Sequence, residues 1–97
     1  MADKRYSILT KKLDRSYVSG SRRNIELHEI YFGSLRKKSI KRGLVVPLTR
    51  EEHRGTYGVH GSRGHALDEH LKKDGQRAFE KEYPDDNFIR EFGKNYL

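Results

Sequence analysis

Leu44-Val45-Val46-Pro47-Leu48 is the longest apolar block in the chain. A membrane span needs about 18–20 such residues, so a bilayer is excluded as the solvent for any helix here. Five residues suit one short strand. Pro47 has no N–H to give to a ladder, so it marks a sheet edge or the strand's end. Asn24 to Phe32 reads as a second strand. Its period of two puts Ile25, Leu27, Glu29 and Tyr31 on one face and Glu26, His28, Ile30 and Phe32 on the other. With two short strands, a 33% hydrophobic share and a 36% charged share over 97 residues, the chain can bury only one thin core. Chains of this size often add a metal or a partner to such a core.

The rest of the chain reads as helices and turns. Ser7 to Thr10 is a short extended piece, and residues 1–13 read as an N-terminal arm. Ser19-Gly20-Ser21 is a turn. Ser34 is placed to cap a short helix, Leu35–Arg42, closed by Gly43 in a left-handed conformation. Thr49 and Glu52 have the spacing of a capping box, which starts a further short helix. Gly55, Gly58, Gly61 and Gly64 then hold residues 54–64 as a loop around His60. The clearest helix runs from His65 to about Tyr83, with Leu67, Leu71, Ala78 and Phe79 as its apolar face. Gly75 on that line costs about 1 kcal/mol unless another backbone packs there. Pro84 stops the helix. Asp85 and Asp86 are N-cap candidates for a last helix, Phe88–Phe92, closed by Gly93. The apolar end, Asn95-Tyr96-Leu97, is expected to dock on the body. The expected class is α+β in a single domain.

Charge narrows the partners. Residues 1–63 carry 15 Lys/Arg against 6 Asp/Glu, while residues 64–97 carry 6 against 8. The basic front favours an anionic partner, DNA or an acidic protein surface, with Arg22, Arg23, Arg36, Lys37, Lys38, Lys41, Arg42 and Arg54 as contact candidates. A merely solvated basic face would look the same. The first twelve residues, MADKRYSILTKK, lack the apolar stretch of a secretory signal, so an intracellular setting is expected.

There is no cysteine, so a metal could be held only by His, Asp or Glu. His28, His53 and His60 fall at a strand end, a helix start and the following loop. A strand–strand–helix arrangement could gather them around one divalent ion, zinc or magnesium/manganese. Scattered polar histidines are the plain alternative. His65 and His70 read as solvent-facing residues of the long helix. Tyr31 and Phe32 read as core, and Tyr57 as an exposed aromatic.

Several segments in order, Tyr17-Val18-Ser19-Gly20, Leu27-His28-Glu29-Ile30, Arg36-Lys37-Lys38-Ser39, Gly43 to Leu48, Glu52-His53-Arg54-Gly55 and Gly58-Val59-His60-Gly61, resemble small phage-encoded HNH-type proteins. So does the ending Phe92 to Leu97. The resemblance spans roughly residues 14–97. It implies a ββα core gripping a divalent metal, with His28 and His53 as ligands and His60 as a third. It also implies a base position at Glu29, where a catalytic His would stand, and a middle position near Gly43, where an Asn would stand. Many members carry a zinc knuckle of two Cys pairs. Those four positions fall here at Ser16, Ser19, Thr49 and Glu52, which offer zinc no thiolate.

Two functions follow from the resemblance. One is a non-catalytic interaction protein that keeps the HNH-like shape and metal, for example an anti-CRISPR inhibitor binding a host CRISPR nuclease. The other is a metal-dependent HNH-type DNA nicking endonuclease. There Glu29 would activate water, although a carboxylate with pKa near 4.3 is a weaker base than an imidazole.

Overall fold

The computed structural model describes residues 5–97; the first four residues of the expected N-terminal arm lie outside the described residues. The class is α+β, with a two-stranded antiparallel sheet, one long helix and several short ones. Strand β1 is Ile25–Glu29 and β2 is Val45–Thr49, paired from Ile25↔Thr49 to Glu29↔Val45. Helices follow as α1 (Arg36–Lys41), α2 (Arg50–Arg54), α3 (His65–Glu82) and α4 (Phe88–Phe92). None is long and apolar enough to cross a membrane among the described residues.

Pro47 sits inside β2, opposite Leu27. Its carbonyl accepts from Tyr17 N–H at 2.8 Å, on the side away from β1. The missing N–H therefore also faces away from the ladder and breaks no β1–β2 bond. The expected strand 24–32 is cut short at Glu29. Beyond it, Ser39 replaces the ladder: its hydroxyl accepts from Tyr31 N–H at 3.1 Å and donates to Tyr31 C=O at 2.7 Å. The alternation fails there, so Ile30 and Tyr31 are both buried while Phe32 is 37% exposed. Phe32 is thus not the core residue expected.

The caps divide along physical lines. Thr49 Oγ1 accepts from Glu52 N–H and Glu52 Oε1 accepts from Thr49 N–H at 2.8 Å, completing the capping box that starts α2. Ser34 caps nothing; a 3₁₀ turn, Gly33–Leu35, leads into α1 instead. Gly43, at φ +73°, ends α1 as expected. Asn87, rather than Asp85 or Asp86, caps α4 by accepting from Arg90 N–H at 3.0 Å.

Residues 55–64 coil tightly. Gly58, Gly61 and Gly64 each donate to the carbonyl three residues back, and the loop also bonds α2 through Val59 N–H→Glu52 O at 2.8 Å and His60 N–H→His53 O at 3.1 Å. A Cβ on Gly64 would stand 1.6 Å from Gly58 O, and one on Gly61 1.9 Å from Gly55 O. The three-residue glycine spacing is what lets the backbone pack on itself.

The core joins β2 to α3 and α4 through Val46, Leu48, Val59, Leu71, Phe79, Phe88 and Phe92. Each fully buried side chain of this kind contributes about 1.5–3 kcal/mol. Tyr31 packs over Gly75 and donates to Lys72 C=O at 2.5 Å. A tyrosine ring, not a backbone, is therefore what Gly75 makes room for. Buried Gln76 clamps the C-terminal residues: its Oε1 accepts from Tyr96 N–H at 2.7 Å and its Nε2 donates to Asn95 Oδ1 at 2.9 Å. Part of the expected arm is also docked, with Ile8 and Leu9 against the core and Ile8 N–H→Gly43 O at 2.8 Å.

Candidate metal centre

β1, α2 and the glycine loop bring His28, His53 and His60 together. One ligand nitrogen from each lies within 4.8 Å of the others. His28 comes from the core face of β1, opposite Val46, and is 1% exposed. His53 ends the turn begun by the capping box. His60 is the exposed member, held beside α2 by its backbone bond to His53. The ring centroids stand 4.9–5.2 Å apart.

The donor chemistry fits a divalent ion. His28 Nε2 is buried and has no hydrogen-bond partner among the described residues. An unpaired buried nitrogen normally costs about 1–3 kcal/mol, and a metal would use its lone pair. Burial, with the charges of His53, His60 and Lys72 adding to it, pushes the His28 pKa down to about 3, so the ring stays neutral. Burial and His53 also lower the pKa of His60, against the opposing pull of Asp68 and Glu29. His53 Nδ1 lies 2.8 Å from Glu26 Oε1. That contact commits Nδ1 and leaves Nε2 for a metal, the usual carboxylate–histidine arrangement behind a ligand. Tetrahedral zinc with bonds of 2.0–2.1 Å would set the nitrogens about 3.3 Å apart. Binding would draw the three nitrogens, now within 4.8 Å of one another, closer together.

The hydrogen bond from His53 and then that from Arg54 hold the Glu26 carboxyl below the usual range. Arg54 reaches Glu26 through Nε at 3.0 Å and also through Nη2. Glu26 shares a strand face with His28 by the period of two, and that spacing is the signal for its role as an orienting residue. Asp68 and Lys72 on α3 complete the surroundings, and their sequence pattern signals only a salt-bridged helix face. Lys72 Nζ stands 4.5 Å from the Phe32 ring centroid, and that ring is 4.8 Å from His60.

Glu29, whose charge also reaches His60, is held by two arginines. Its Oε2 accepts from Arg5 Nε at 3.2 Å and its Oε1 from Arg36 Nε at 3.0 Å. Ser16, Thr49 and Glu52 meet on α2's N-terminus, where Ser16 Oγ donates to Glu52 Oε1 at 2.6 Å and accepts from Ser19 N–H at 3.0 Å. Burial raises the Glu52 pKa, but hydrogen bonds from Ser16, the Thr49 backbone and Ser19 outweigh it and hold the carboxyl low.

The eight basic candidates separate. Arg42 is tied to Glu91 and Asp86 and lies 4.8 Å from the Tyr83 ring centroid. Arg36 and Arg54 pair with Glu29 and Glu26, and Lys38 donates to Glu91 C=O at 2.8 Å. Arg22 reaches Asp14 only at 4.0 Å. Arg23, Lys37 and Lys41 are exposed and make no ion pair among the described residues. His65 and His70 are exposed and pair with Glu69 and Asp74 at 3.4 Å, and Tyr57 is 69% exposed. No protein family model, curated protein or solved structure matches the chain.

Proposed function

We propose that this chain is an HNH-like metal-binding protein that works by binding a partner rather than by catalysis. The observation that carries the metal claim is His28 Nε2, buried and unpaired inside a group of three histidines. His28, His53 and His60 would hold one divalent ion, and an ion bound there would supply a rigid link between β1, α2 and the glycine loop. Zinc suits the three imidazoles better than magnesium, which prefers oxygen ligands.

The HNH-like reading is supported by Ser16, Ser19, Thr49 and Glu52, the four positions that the resemblance aligns with a zinc knuckle. Three of them share the hydrogen bonds around the Glu52 carboxylate, and Ser19 bonds to Ser16. A hydrogen-bonded tie would stand where relatives use a metal. The non-catalytic reading is supported by Glu29, whose two carboxylate oxygens are each engaged by an arginine. A base so occupied is poorly placed to take a proton from water. Arg22, Arg23, Lys37 and Lys41 are the exposed candidates least engaged within the chain, and they would meet an acidic protein surface, such as that of a host CRISPR nuclease, or DNA.

A DNA nicking enzyme is the second reading. Three histidine ligands would leave open the coordination position that a hydrolytic metal site needs. Supercoiled plasmid incubated with Mg²⁺, Mn²⁺, Ni²⁺ or Zn²⁺ separates the two. The interaction reading expects no cleavage and stoichiometric inhibition of a nuclease. Metal-dependent nicking that disappears in both His28→Ala and Glu29→Ala would overturn it. Elemental analysis checks the metal independently.

A further inference from the structure

Two buried side-chain polar atoms lack a hydrogen-bond partner among the described residues, His28 Nε2 and Asp68 Oδ1. The first belongs to the histidine cluster. The second lies on the first turns of α3, and neither the motif resemblance nor the histidine pattern accounts for it. The other oxygen of the same carboxylate, Oδ2, is held by Lys72 Nζ at 2.9 Å. Both partners of this pair are largely buried, with side chains 18% and 17% exposed. Lys72 in turn stands 4.5 Å from the centroid of the Phe32 ring, which lies 4.8 Å from His60 and 5.8 Å from His28. Asp68, Lys72, Phe32 and the histidines are therefore neighbours in one patch, joined through α3.

A buried carboxylate oxygen without a donor is expensive, because its charge is desolvated on that side. A hydrated dication would relieve both orphans together. The nitrogen of His28 would bind it directly, and the oxygen of Asp68 would accept from its hydration shell. Imidazole binds a metal through a neutral lone pair and cancels none of a dication's charge, whereas Asp68 would cancel half of it. Lys72 pulls the other way. It bonds the other oxygen of Asp68 and adds a positive charge close to the site. The charges of Asp68 and Glu29 raise the pKa of His60 and that of Lys72 lowers it.

We infer that Asp68 is a fourth, anionic member of the divalent-cation site, acting on the cation from outside the three histidines and opposed there by the charge of Lys72. This rests on the three-histidine reading above. It makes α3, and not only the ββα elements, part of the metal centre.

Competition of the full chain with a chromophoric chelator for Zn²⁺ and Co²⁺ tests it. Asp68→Asn, which keeps the shape, is expected to weaken both metals by about 10- to 100-fold, the usual range for an outer partner of a metal site. Lys72→Met removes the opposing charge and is expected to tighten binding. A role confined to folding would not move the two affinities in opposite directions. Circular dichroism checks the fold of each variant. If Asp68→Asn does not fold, Asp68→Ser decides, and wild-type affinity for both metals in that variant overturns the inference. Wild-type affinity in Asp68→Asn, with binding still lost in His28→Ala, overturns the role of Asp68 and leaves the histidine site standing. No binding by the wild-type chain overturns both.

Discussion

Acidifying the metal-free protein tests whether His28 is buried as a neutral ring. The side chain is 1% exposed, and its pKa falls from 6.5 to about 3. That difference corresponds to about 5 kcal/mol in the cost of protonating the ring once the chain is folded. The sign follows from which state holds the proton. Above 6.5 neither state is protonated, and His28 adds no pH dependence. Between 6.5 and about 3 only the unfolded chain takes up the proton, so stability falls with falling pH by about 1.4 kcal/mol per unit. Below about 3 both states are protonated and the loss is complete. Between about pH 7 and about pH 4.5 the loss from this one ring is thus about 3 kcal/mol. That is a large share of the 5–15 kcal/mol that typically separates folded from unfolded domains. Urea unfolding of the wild type and of His28→Gln, both with chelator, measures it. Glu26 and Glu52, whose carboxyls are held low, also lose stabilisation as pH falls, but they do so in both proteins. The wild type should therefore lose about 3 kcal/mol more than the variant over this range. Parallel losses would refute the buried neutral ring.

Gly75→Ala should destabilise despite its gain in helix propensity, by about 1–3 kcal/mol, because the new Cβ would stand 2.7 Å from the Tyr31 hydroxyl. Thermal unfolding should show most of that loss disappearing in a Tyr31→Phe background. Glu52→Ala should cost about 1–2 kcal/mol in denaturant titrations, since it removes the acceptor of both Ser16 and the Thr49 backbone. Zinc at about 100 times its dissociation constant should stabilise the wild type by about 2.7 kcal/mol, read as a rise in Tm. His53→Ala and His60→Ala should lose that rise.

Much of the architecture was legible because it rests on local rules. The capping box of Thr49 and Glu52, the left-handed Gly43 and Gly93, the stop at Pro84 and the apolar spacing of α3 each depend on residues within a turn or two of one another. The failures lie where a distant group intervenes. Ser39 takes the backbone bonds of Tyr31 and ends β1 early. The α4 cap is instead a local miss: Asn87, next to the aspartates, accepts from Arg90 N–H in their place.

The sequence by itself determined the α+β class, the punctuation of the helices and the three histidines available as ligands in a chain without cysteine. Only the tertiary structure decided that β1, α2 and the glycine loop bring those histidines within ligand distance. It alone paired Glu26 with His53, tied Glu29 to two arginines and left Asp68 Oδ1 without a partner. The physical reason is range. Caps and helical periods are settled over about 3–4 residues, as are the turns at glycine and proline. An unsatisfied lone pair or a shared carboxylate depends on which remote groups the folded chain brings against it.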